Sequence, residues 1–186
     1  YYVDDNARLE EYLTKALQAR RCDGVLAISI DIADDFIAKF EAADVALVLV
    51  DRAHREIDSI YVDNRDSAYV ATKYLIELGH TRIGMISGNS SSVPARQRRT
   101  GFQEALSEAG IKSPENSFVA ADQLPDGGGI EVNDGFNETA GFQAMKELLH
   151  INDEPVTAVF ASSDIQAIGA MKAAEEQGIR VPEDLS

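Results

Sequence analysis

Three consecutive pieces decide the fold: Gly24-Val25-Leu26-Ala27-Ile28-Ser29, residues 31–43, and Val45-Ala46-Leu47-Val48-Leu49-Val50. The outer two are continuous apolar runs, the pattern of strands buried on both faces of a parallel sheet. The middle one places Phe36, Ile37 and Phe40 at helical spacing. The same rhythm extends in both directions. Upstream, Asp5 or Asn6 can cap a helix carrying Leu9, Tyr12, Leu13, Ala16 and Leu17. Downstream come a short strand, Ser59-Ile60-Tyr61-Val62, and a helix opened by Asp63-Asn64 and stopped by Gly79. Strand 82–87, helix 95–109, strand 117–120, helix 137–149, strand 156–161 and helix 164–177 complete the series. Such alternation predicts an α/β fold with doubly wound parallel sheets covered on both faces. A shift in composition near residue 63 predicts a subdomain boundary there, dividing 1–62 from 63–186.

The chain has 186 residues and a formal net charge of −15. That length can bury a proper core without metal or disulfide staples. So acidic a segment does not itself grip nucleic acid, whose phosphates need a cationic surface. The single cysteine, Cys22, cannot make an internal disulfide, which fits a reducing compartment. No apolar run approaches the roughly 20 residues that span a bilayer. The chain begins without Met and ends in a loop that feeds another strand, so it reads as a piece of a longer protein.

In open α/β sheets, ligands bind beyond the carboxyl ends of the strands. Those ends read Ser29, Asp51-Arg52, Asp63-Asn64, Gly88-Asn89-Ser90-Ser91-Ser92, Asp122 and Ser162-Ser163-Asp164, with Arg96, Arg98 and Arg99 just beyond the serine run. Paired hydrogen bonds from such groups suit a polyhydroxylated, uncharged ligand. Helix capping favours the same residue types and is the commoner role at any one position.

Enzyme signatures are missing. The sequence has no Walker A loop, HExxH, paired CxxC or GxSxG elbow. His54, His80 and His150 are isolated, and the latter two have ordinary roles near helix ends. Asp122, Asp126, Glu131 and Asp134 lack the calcium-loop spacing. No metal or cofactor is therefore expected. Gly127-Gly128-Gly129 reads as part of a flexible loop over 122–136. Phe136, at its end, reads first as a core plug and second as an apolar surface for a ring-shaped ligand. The helix from Ile165 is apolar nearly all round, which means deep core or a subunit interface.

The segment Ser91-Ser92-Val93-Pro94-Ala95-Arg96-Gln97-Arg98-Arg99-Thr100-Gly101-Phe102 resembles the effector-loop region of the LacI/GalR transcriptional repressors. Val50-Asp51-Arg52, Val62-Asp63-Asn64, Leu78-Gly79-His80-Thr81-Arg82-Ile83 and the stretch from Pro155 to Asp164 match in the same order. So do Ala167-Ile168-Gly169-Ala170-Met171 and the residues from Gly178 to Ser186, and the likeness covers essentially the whole chain.

This resemblance implies a periplasmic-binding-protein-like pair of α/β subdomains with a small-molecule effector, a sugar or sugar derivative, in the cleft between them. It implies effector contacts from Asp51, Arg98, Phe136 and Ser163, with Ser29 and Val62 at further cleft positions. Asp164 would cap the helix that follows or touch the effector. Ile168 and Met171 would lie in a homodimer interface. Further implications are a non-enzymatic, cytoplasmic regulator, and operator DNA bound through a helix-turn-helix domain that this chain lacks. The family's first strand and helix, and its Gly-aromatic-Asp-Asp effector segment, are missing too. The alternative is a periplasmic sugar-binding protein of an ABC transporter.

Overall fold

A computed structural model describes residues 11–15, 17, 22–28, 32–112, 117–150 and 155–186. The chain divides into two compact units, Tyr1–Val62 and Asp63–Ser186.

In the first unit, strands β1 (Gly24–Ile28), β2 (Ala46–Val50) and β3 (Ser59–Ile60) form a parallel sheet in that order. Helix α1 (Asp34–Ala43) turns its Phe36, Ile37 and Phe40 onto Ala27, Leu47 and Leu49, and Leu13 joins this core from helical residues 11–15. Asp44 ends α1 in the left-handed conformation, φ 53°. The proposed caps Asp5 and Asn6, and Ser29, lie outside the described residues.

The expectation that these strands are buried on both faces needs correction. Parallel pairing sets Leu26 beside Val48, Ile28 beside Val50, and Val50 in turn beside Ile60. These five side chains share one face, and Leu26, Ile28 and Ile60 are 68%, 59% and 69% exposed. A continuous apolar run permits two covered faces; among the described residues helices cover only one. The third strand is also shorter than expected, because Tyr61 and Val62 make no ladder pairs.

In the second unit the sheet order is β5 (Phe118–Ala120), β4 (Ile83–Ser87), β6 (Ala158–Ala161), all parallel. Helices α2 (Asn64–Glu77) and α3 (Val93–Glu108) cover one face; α4 (Glu138–His150) and α5 (Asp164–Glu176) cover the other. Every residue of β4 is buried. Ile83 and Met85 pack with Phe102 and Leu106 on the α2–α3 side, and Ile86 packs with Met145 and Leu148 on the opposite side. Phe102 is 1% exposed, and its burial stabilises the unit by roughly 1.5–3 kcal/mol.

Each helix pair crosses where one partner has no side chain. A Cβ on Gly101 of α3 would collide with the Arg65 carbonyl of α2, and one on Gly169 of α5 with the Glu138 carbonyl of α4. Asp63 caps α2 through its carboxylate, which accepts from the Asp66 N–H at 2.9 Å. His80 is held by Thr157 at 2.9 Å, a structural role. Beyond α5 the chain returns to the sheet, where Ser186 exchanges backbone hydrogen bonds with Thr157 and Val159 at 3.1 and 2.8 Å. No helix among the described residues is long and apolar enough to cross a membrane.

Candidate functional site

The polar residues of the second unit converge where β4, β5 and β6 end. Strand β4 gives way to Gly88-Asn89-Ser90-Ser91-Ser92, and α3 starts at Val93 with Pro94 in its first turn, a position where its missing N–H costs nothing. Asn89 folds this loop: its N–H donates to the Asp134 carbonyl at 2.7 Å, and its side-chain oxygen accepts from the N–H and hydroxyl of Ser91. Arg96 reaches back from α3 to the Ser91 carbonyl.

Asp122, just past β5, accepts from the Ser90 N–H at 2.8 Å and the Ser90 hydroxyl at 2.5 Å. Partial burial pushes the Asp122 carboxyl up. The two Ser90 hydrogen bonds, with one from its own N–H, together outweigh that effect and hold it below the ordinary carboxylate value.

Phe136 is placed by the absence of a side chain opposite it. A Cβ on Gly88 would lie 2.6 Å from the ring, so only glycine lets the ring lie against the end of β4. The Arg98 guanidinium stands over the ring, 5.5 Å from its centre, within cation–π range. Phe136 belongs to none of the buried clusters among the described residues, so the core-plug expectation is corrected. The ring is half-buried, with the Arg98 guanidinium over it.

The glycine-rich stretch before Phe136 is also not the flexible loop expected. It folds into three 3-10 turns, Ala121–Gln123, Gly127–Gly129 and Asn133–Gly135. The Asn137 amide nitrogen is within 3.3, 3.0 and 3.1 Å of the carbonyls of Gly128, Gly129 and Val132, while its oxygen accepts from Ala140 N–H at 2.9 Å. One side chain therefore caps α4 and clips the loop to it. Gly135, φ 74°, has Ala121 where its Cβ would be. The acidic residues here do not assemble a cation site: no group of three or more metal-ligating side chains occurs among the described residues.

At the end of β6, Ser163 is the cap of α5, its hydroxyl accepting from the Gln166 N–H at 3.3 Å. Asp164, one expected candidate for that cap, instead occupies the first helical position, where its carboxylate accepts from Ile165 N–H. Ser87 ends β4 and Ser162 directly follows β6, and their buried hydroxyls have no hydrogen-bond partner among the described residues.

The structure thus brings Arg98 and Phe136 together and links Ser163 to the turn before Phe136 through Gln166, whose amide donates to the Gly135 carbonyl at 2.9 Å. Asp51 and Val62 belong to the first unit. Asp51 ends β2 in the left-handed region, φ 64°, an uncommon backbone for a residue other than glycine. Its N–H donates to the Ile60 carbonyl at 2.7 Å. Ile168 and Met171 point outward from α5, 45% and 54% exposed, which excludes deep core for that stripe.

Sequence reasoning missed Gln166 and Asn137. The Ser163-x-x-Gln166 spacing is a capping-box signature and marks the first; an Asn directly before an amphipathic run marks the second.

A family model described as a periplasmic binding protein-like domain matches residues 72–186. The HTH-type transcriptional repressor PurR of Klebsiella pneumoniae is 34% identical over 98% of this chain, which spans about half the length of such curated relatives. Among solved structures, a transcriptional regulator CelR–cellobiose complex is 30% identical over 98% of this chain and 52% of its own, with a TM-score of 0.74. A sugar-binding LacI-family regulator from Escherichia coli, complexed with phosphate, is 26% identical over 98% of this chain and 62% of its own, TM-score 0.76. All three relatives are transcription regulators, which favours regulation over transport.

Proposed function

Because the chain belongs to the periplasmic binding protein-like domain family, in the form carried by LacI/GalR-type repressors, we propose that it binds a sugar and thereby controls operator binding by the whole protein. The observation that carries this reading is the Arg98 guanidinium over the Phe136 ring at the strand ends of the second unit. An aromatic face suits the apolar side of a sugar ring, and a guanidinium donates paired hydrogen bonds to neighbouring hydroxyls. Ser163 adds a hydroxyl, and Asp164 lies at the same helix start. By the family resemblance, Asp51, Ser29 and Val62 would contribute further effector contacts. The cellobiose bound by CelR supports the ligand class.

The protein acts as a cytoplasmic homodimer without catalytic turnover, pairing through Ile168 and Met171. Effector binding shifts the population between two conformations only to the extent that it binds them unequally. DNA is read by a helix-turn-helix domain outside these 186 residues.

Titration calorimetry of the full-length protein against a panel of mono- and disaccharides tests the reading. One sugar should bind stoichiometrically, and Arg98→Ala should weaken it roughly ten- to hundredfold, as expected for a lost charged hydrogen bond, at an unchanged melting temperature. Equal affinity in the variant would overturn the site assignment. No binding by any sugar would overturn the ligand class.

A further inference from the structure

Gln166 is a polar residue in the apolar first half of α5, and its side chain is fully buried. A buried amide is retained only where its donors and acceptor are used. In a full capping box its side chain would turn back to the N–H of Ser163. Here only the Ser163 half of the box forms. The Gln166 amide nitrogen instead donates to the Gly135 carbonyl at 2.9 Å, while its oxygen lies 3.4 Å from the Ser163 hydroxyl, which donates to it. The reverse orientation would set oxygen against the Gly135 carbonyl oxygen, so the amide has one workable direction. The backbone of Gln166 also lies where a Cβ on Gly141 of α4 would be. One residue thus grips both the turn that presents Phe136 and the helix that follows it. Two and five positions further along α5, Ile168 and Met171 face outward.

Resting on the effector reading for what Phe136 and Ser163 touch, we propose that Gln166 is a positioning residue. It locks the Phe136 turn, the Ser163 cap and the outward stripe of α5 into one rigid body. An effector that displaces Phe136 or Ser163 then moves the α5 surface with it.

Hydrogen exchange on the full-length protein without added ligand tests this, so its outcome does not depend on the effector being a sugar. Gln166→Met keeps length and helix preference but has no amide; Gln166→Asn keeps the amide but falls short of Gly135. Both should speed exchange in peptides covering residues 133–137 at least tenfold and leave β4 and α2 unchanged. In protein labelled with fluorophenylalanine, the Phe136 signal, identified by its loss in Phe136→Leu, should shift alone. Protection at 133–137 within twofold of the unsubstituted protein would overturn the proposal. Loss of protection throughout the second unit, or failure of both variants to fold, would overturn it too, by making Gln166 ordinary core.

Discussion

The two sheets are built from the same alternation of strand and helix, yet they are finished differently. In the second unit β4 runs between two helix pairs, and all five of its residues are buried. In the first, α1 and the helical residues near Leu13 cover one face, while Leu26, Ile28 and Ile60 stand exposed on the other. An apolar run records what a strand can bury, not which part of a chain buries it. Helix pairs in the second unit close tightly enough to need glycine at each crossing; α1 lies on its sheet with ordinary side chains.

The comparison breaks most severely at a crossing. Gly169→Leu, which drives a side chain into the Glu138 carbonyl and the Phe142 N–H, should cost upwards of about 4 kcal/mol and unfold the second unit. Loss of the cooperative denaturant transition would report it. Next comes a matched pair in the 186-residue chain. Leu148→Ala should cost roughly 2–4 kcal/mol, because Leu148 is fully buried against β4. Leu26→Ala should stay within about 0.5 kcal/mol. Equal costs in urea denaturation would show that the first sheet has a second cover.

The smallest effect concerns the second unit alone. Arg180 holds the Asp184 carboxyl at about 2, through hydrogen bonds to its side chain and from its backbone N–H. A lowered folded-state pKa means that the contribution is complete above the ordinary carboxylate value near ~4. It is lost as pH falls from there toward about 2. Carbon NMR titration should show the depressed Asp184 midpoint, and Arg180→Gln, which keeps the backbone N–H, should raise it toward the ordinary range.

Periodicity and the spacing of caps and glycines made nearly every element legible, including α2, whose Asp63 cap the sequence announces. The cluster around Arg98 was legible because strand ends in a parallel sheet all point one way. The core-plug reading of Phe136 failed because nothing near it in sequence reveals that Gly88, far away along the chain, leaves room for its ring. The stretch 122–136 was misread for a similar reason. Its glycines look like freedom, whereas Asn137 consumes that freedom by gathering three carbonyls. Burial of one sheet face alone was illegible in principle, since Leu26 and Ala27 are equally apolar neighbours on opposite sides.

The clip at Asn137 also bears on how such a chain can diversify. Three turns, from Ala121 to Gly135, lie between β5 and α4 and are fastened to the helix through one side chain. They carry Phe136 at their exit, and Asn89 and Gln166 tie the last of them to the end of β4 and to α5. Ala121 and Leu124 of the same stretch are buried in the core with Met145 and Leu148, so a change here reaches the packing of the sheet and α4 as well as the placing of Phe136.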